Sequence, residues 1–392
     1  MVLVVDFNWT EEQKMIHKEV VRLCSKFNDD YWLECDREHR FPWEFFHTIA
    51  DAGWLGISIP EKYGGSGLGI TEASIVLNAI ASTGAGMNGG TAIHLSLFGL
   101  NPVVKHGSEE MKEKYLSLAV SGELHVAFGV TEPDAGTDTT SITTFAKKVG
   151  DQFIINGKKV WISKAKESSK ILLLARTKPL EECSRKTDGM TLFLADLDER
   201  YVTIKEIDKL GRNAVDSNEL FIEDLPVSES DVVGEVGRGF YHLLDGLNPE
   251  RILLAAEFCG LGTRALQKAV QYANERVVFG RPIGQNQAVQ HPLAESYAEL
   301  ESANLLWQRA AWIYDNGESA GAAANIAKYM AAETVFKACD RALQTLGGYG
   351  YAKEYHIERY WREARLLKIA PISQQMILNY IGEHVLKLPK SY

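Results

Sequence analysis

The chain is 392 residues long, the size of two or three domains at roughly 150 residues each. With 45% hydrophobic and 24% charged residues it fits a folded protein and excludes a disordered or collagen-like one. Lys and Arg number 42 against 52 Asp and Glu, and the net charge of -10 repels phosphate backbones and anionic bilayers, so neither nucleic acid nor a membrane is expected as the main partner. The five cysteines are scattered and form no CxxC pair, which points away from a disulfide framework or zinc cage and toward a reducing compartment. Only a five-residue apolar start precedes Asp6, with no basic region ahead of it, and no apolar run of about 18 residues follows. The expected location is cytoplasmic, or a matrix reached after removal of a leader.

In chain order, Thr10 and Gln13 have capping-box spacing and Ile16, Val20, Leu23 and Phe27 recur at helical intervals, which predicts a helix starting near residue 10. The same period returns over 42–52 and 71–82, separated by a glycine-dense loop at 53–69. Residues 1–122 therefore read as an N-terminal helical domain. From 123 to 235 short Val/Ile/Leu/Phe/Thr runs predict a central β domain, with strands at 153–155, 160–162, 170–175, 191–196, 201–206 and 218–222. Asn156-Gly157 between two such runs predicts a type I′ hairpin turn. Helical periodicity resumes after Gly239, with nearly all-round apolar segments at 252–273 and 320–346 that must be buried on several sides; Gly347-Gly348 supplies a stop. Residues 236–392 are read as a C-terminal helical bundle, and the fold class as α+β.

The segment AFGVTEPDAGTDTTS at 127–141 combines hydroxyls, small residues and a proline turn after a predicted strand, a means of presenting backbone N–H groups to a polar heterocycle or phosphate, or else an ordinary polar turn. With TEPDAGTD at 131–138, INGKKVWIS at 155–163, RVVFGRPIGQNQ at 276–287, QTLGGYGY at 344–351, and a terminal RxAR and SQQ within 362–375, the chain resembles the acyl-CoA dehydrogenase family of flavoenzymes over essentially its whole length. That resemblance implies an N-terminal helical domain, a central β-barrel or sandwich, a C-terminal four-helix bundle, bound FAD, and a homotetramer or homodimer.

By the same resemblance, Val130 and Thr131 meet the flavin pyrimidine edge, Trp161 covers the isoalloxazine face and Ser163 approaches N5. Thr137 lies near the acyl thioester or flavin phosphates. Arg276, Phe279 and Gln287 reach the pyrophosphate and adenosine of a neighbouring subunit's FAD, a contact suited to the planar fork of arginine. Gln344, Gly347 and Gly348 make the matching contacts, and Ser373 and Gln375 the final flavin ones. The residues alone also allow blander readings: Trp161 as a core aromatic, Arg276 as a solvated helix end, the glycines as a plain cap. Val278 stands where many relatives have Thr.

Dehydrogenation between Cα and Cβ of a thioester needs a carboxylate to remove the α proton while the flavin takes the β hydride. Most relatives carry that Glu just before the terminal Ser/Thr-containing segment, where this chain reads Ile369-Ala370-Pro371-Ile372-Ser373. A subgroup similar to isovaleryl-CoA and long-chain acyl-CoA dehydrogenases places it on the first long bundle helix, which makes Glu250 in Leu247-Asn248-Pro249-Glu250-Arg251 the candidate base and Arg251 its substrate-side neighbour. Locally, Asn248 as N-cap and Pro249 at the first helical position would make Glu250 a mere dipole-complementing acid. The apolar Ile252, Leu253 and Leu254 would raise its pKa and Arg251 would lower it, leaving the sign open. Pro371 has no N–H to bind the thioester carbonyl, so Ile372 supplies that donor, or the flavin does more, or the substrate is not a standard acyl-CoA.

No HExxH, GxSxG or Walker pattern occurs, no metal is expected, and His94, His125, His242 and His356 read as packing residues. Leu95, Leu97 and Phe98 suggest an apolar lining for an acyl tail. The expected activity is FAD-dependent acyl-CoA dehydrogenation within fatty-acid oxidation, with electrons passed to an electron-transfer flavoprotein. The alternatives are other chemistry on the same scaffold, as in nitroalkane oxidation or flavin monooxygenation, or a flavin-bound binding protein without turnover.

Overall fold

The computed structural model describes residues 8–390; the apolar start at residues 1–5 lies outside them. Seven helices come first: α1 Glu11–Cys24, α2 Asp29–Glu38, α3 Trp43–Asp51, α4 Ile70–Ala81, α5 Gly86–Phe98, α6 Asn101–His106 and α7 Glu109–Ser121. The capping box forms as read, Thr10 Oγ1 accepting from Gln13 N at 3.1 Å while Gln13 Oε1 accepts from Thr10 N at 3.1 Å. The glycine-dense stretch between α3 and α4 holds only short 3₁₀ turns.

Seven strands follow: β1 Val126–Gly129, β2 Phe145–Val149, β3 Gln152–Ser163, β4 Lys170–Arg176, β5 Met190–Asp196, β6 Val202–Glu206 and β7 Ser217–Ser228. They form one sheet in the order β1-β4-β2-β3-β7-β6, with β5 paired to β4. The sheet curls, so that Phe153 of β3 meets Phe193 of β5 edge-on at 5.2 Å and both are buried in the sheet's own core.

The Asn156-Gly157 hairpin is corrected by this sheet. The chain turns instead at Gly150-Asp151, between β2 and β3, and Asn156-Gly157 lies inside β3, where the register with β7 shifts between Ile155 and Gly157. A Cβ at Gly157 would stand 2.3 Å from Thr144 Oγ1 and 2.6 Å from its Cα, so close approach to the residue just before β2, not a turn, requires the glycine.

The C-terminal part contains α8 Gly239–Glu275, the small hairpin β8 Val277–Val278 and β9 Arg281–Pro282, then α9 Gln287–Asp315, α10 Gly321–Leu346, α11 Ile357–Leu366 and α12 Gln374–Tyr380. α8, α9 and α10 pack on one another, and α4 lies against α8. At that crossing a Cβ on Gly260 would meet Asn78 O at 2.4 Å, and Asn78 Nδ2 donates to Ala256 O at 2.8 Å. Gly260-Leu261-Gly262 thus serves helix packing. One apolar core joins the N-terminal helices to the bundle, including Trp32, Ile75, Leu253, Phe258, Trp307 and Val335.

Candidate active site

α8 starts at Gly239 and runs through Pro249, so Glu250 is not a first-turn acid at a helix start. It sits mid-helix, 8% exposed, and no hydrogen bond or ion pair from the described residues holds its carboxylate. Burial pushes its pKa up, against the pull of His94, Arg251 and Lys328, and burial prevails. Arg251 turns back to Asn248, donating from Nη1 to Oδ1 at 3.0 Å.

Lys328 was not among the residues the sequence singled out. It is a buried lysine in the alanine-rich α10, and its Nζ donates to Leu367 O at 2.8 Å, Ile372 O at 2.8 Å and Gln374 Oε1 at 3.2 Å. Burial pulls its pKa down to about 8. It ties the segment around Pro371 to the neighbourhood of Glu250. The signal available in sequence was a lysine within the alanine-rich first half of α10, between Ala327 and the Ala331-Ala332 pair, a position that demands partners. Beyond Lys328, Ser373 and Gln375 share a cleft of about 390 Å³ with Tyr329, Glu333, Arg365 and Lys368, and Ser373 Oγ caps α12.

On the β sheet, Trp161 is 59% exposed and adopts φ 63° where the β3–β7 register shifts, so the core-aromatic reading of this residue fails. A left-handed tryptophan held out to solvent is costly unless something covers it. Its neighbour Val160 donates N–H to Thr131 O at 2.9 Å, which sets Val130-Thr131 beside Trp161. That edge is anchored from below: Lys159 Nζ donates to Val130 O at 3.0 Å and to Glu132 Oε1 at 2.9 Å, and Glu132 accepts from Thr143 N and Thr144 N as well. Burial alone would raise the Glu132 pKa, but Lys159 and these backbone donors outweigh it and hold it low. Ser163 Oγ accepts from Arg212 Nη2 at 3.0 Å; Arg212 is a second residue the sequence did not flag. Thr137 lies on the exposed turn after β1.

A third group gathers at the bundle end. Arg276, Gly347 and Gly348 line one cleft of about 620 Å³ with Tyr272, Val278 and Tyr349. Gln344 is exposed near the end of α10, Gln287 opens α9, and Phe279, at the tip of the β8–β9 hairpin, is 100% exposed. The predicted residues therefore fall into three groups, one at Trp161, one around Glu250 and Ser373, and one at Arg276.

The helical–β–helical chain presents an uncovered indole beside a firmly anchored backbone edge and a buried carboxylate on the bundle, an arrangement that fits a flavin-dependent dehydrogenase. Family models for the acyl-CoA dehydrogenase N-terminal, middle and C-terminal domains match residues 10–123, 127–225 and 237–386. The chain belongs to the acyl-CoA dehydrogenase family. It is 36% identical over 391 residues to acyl-CoA dehydrogenase FadE12 of Mycobacterium tuberculosis, covering 98% of each chain. It is 35% identical to the 3-(aryl)acrylate reductase of Clostridium sporogenes, covering 97% of this chain and all of that one. The butyryl-CoA dehydrogenase structure from Megasphaera elsdenii superimposes with a TM-score of 0.92 at 30% identity, covering 97% of this chain and 100% of that one. The protein is an oxidoreductase with FAD as its cofactor. Among the described residues no helix is long and apolar enough to cross a membrane.

Proposed function

We propose that the protein dehydrogenates an acyl-CoA thioester to the trans-2-enoyl-CoA, with Glu250 as the base that removes the α proton. The observation that carries this reading is a buried carboxylate with a raised pKa and, among the described residues, no donor bound to it. Such a group is a stronger base than an ordinary carboxylate, because burial denies its charged form the stabilisation that water gives. FAD, when bound, supplies the acceptor for the β hydride.

For the cofactor, Trp161 offers a flat face and Val130, Thr131 and Ser163 the neighbouring polar edge. Ser373 and Gln375 add contacts from the start of α12. Arg276, Gln287, Gln344, Gly347 and Gly348, with Phe279, would serve the diphosphate and adenosine part, and Thr137 a phosphate or the thioester. The full exposure of Phe279 supports a second copy covering this end, hence a homodimer or homotetramer in which FAD is shared between subunits. Pro371 cannot donate to the thioester carbonyl, but the Ile372 N–H makes no hydrogen bond among the described residues and takes that role. Lys328, by holding the Ile372 carbonyl, fixes the orientation of the adjoining peptide. Arg251 lines the thioester end, and an electron-transfer flavoprotein is the expected electron acceptor.

The test is anaerobic mixing of the FAD-loaded protein with straight, branched and aromatic acyl-CoA thioesters. Loss of the oxidised flavin absorbance with at least one of them is expected. A protein that keeps FAD yet is bleached by none is not an acyl-CoA dehydrogenase.

A further inference from the structure

Glu257 lies seven residues beyond Glu250 on α8, so the two carboxylates share a helix face at an axial separation of about 10 Å. Glu257 is 0% exposed, and neither of its oxygens receives a hydrogen bond from the described residues. Opposite it on α5 stands His94, 5% exposed, whose Nδ1 lies 3.4 Å from Glu257 Oε2 and is likewise unbonded. His94 also opposes the effect of burial on Glu250 more than Arg251 or Lys328 does, which places it near both carboxylates. Phe98 packs on His94 at 5.1 Å, among the Leu95 and Leu97 side chains expected to line an acyl tail.

α5 packs against the carboxylate through a glycine: a Cβ on Gly90 would come within 2.2 Å of Glu257 Oε1. Arg212 balances the charge electrostatically, but its Nη2 is committed to Ser163 and Ser217 at 3.0 and 3.1 Å. Burying a carboxylate that accepts no hydrogen bond is costly, so its retention here calls for a role. Among the described residues Glu257 thus has His94 within ion-pair distance but accepts no hydrogen bond, and it lies along the helix that carries the base.

We propose that His94 and Glu257 form a specificity pocket for the far end of the acyl chain, selecting thioesters that end in a hydrogen-bond donor, a hydroxyl or an ammonium group, over plain alkyl and carboxylate-ended chains. The proposal rests on the acyl-thioester reading above. Carboxylate oxygens only accept, so the matching ligand group must donate, and a terminal carboxylate would be repelled.

The experiment is calorimetric titration of the FAD-loaded protein with S-alkyl-CoA thioethers, which bind without being oxidised. Hexyl, ω-hydroxyhexyl, ω-aminohexyl and ω-carboxypentyl versions are compared. The hydroxyl- or amino-ended thioether is expected to bind ~10-fold or more tightly than hexyl, with the carboxyl-ended one weakest. In Glu257→Met, which keeps the length and removes the acceptors, that preference should vanish while hexyl binding holds or improves. Equal wild-type affinities, or tightest binding of the carboxylate, overturn the pocket assignment but leave the acyl-thioester reading intact. Failure of all four to bind overturns both. The wild-type comparison decides the matter even if the variant does not fold.

Discussion

Replacing Glu250 with glutamine keeps the shape of the side chain and removes its ability to take a proton. Loss of a general base costs ~10²–10⁴ in rate, about 3–5 kcal/mol of barrier at ~1.4 kcal/mol per tenfold. Because the residue acts on the transition state, kcat and kcat/KM should fall together while thioester binding is retained. Stability should move the other way. The folded protein binds the Glu250 proton more tightly than the unfolded chain, whose ordinary value is 4.5, since burial penalises the charged form. Below that value both states are protonated and the substitution is neutral. As pH rises through the elevated pKa, the wild type loses stability and the glutamine variant does not. Each tenfold increase in proton affinity corresponds to about 1.4 kcal/mol. For a chain of this size that is ~1–2 °C in Tm at pH values above the raised pKa. Stopped-flow flavin bleaching and thermal melts across pH read both effects. Undiminished bleaching in Glu250→Gln, or a Tm difference that is flat with pH, refutes the assignment of a buried, proton-accepting Glu250.

Trp161→Ala should leave the melting of the FAD-free protein within ~0.5 kcal/mol, since the ring is largely exposed, yet weaken FAD retention on gel filtration; a large apo-protein loss would return Trp161 to a packing role. Lys159→Met strands the Glu132 carboxylate beneath the Val130–Thr131 edge and should cost ~3–5 kcal/mol in chemical denaturation; a neutral effect would mean that the Thr143 and Thr144 backbone donors suffice. Gly157→Ala drives a methyl into Thr144 and should cost ~1–3 kcal/mol, whereas a true type I′ turn at this site would have left the methyl in solvent.

The α-then-β-then-α order was legible because hydrophobic period and turn residues are local properties. Thr10 with Gln13, the β-branched runs from 153 to 222 and the alanine-rich segments after 252 each specify an element without reference to the rest of the chain. The family motifs likewise singled out Glu250, Trp161 and Arg276 as candidates from short local stretches of sequence. Asn156-Gly157 was misread for the same reason: its dipeptide propensity is that of a turn, but pairing of β3 with both β2 and β7 draws it into a strand. Tertiary structure alone could decide the sign of the Glu250 pKa, because burial against α5 and α10 is a sum over residues distant in sequence. It alone brought Lys328 to the Pro371 segment and His94 to Glu257, since a helix specifies which face its side chains share but not what will lie across from them.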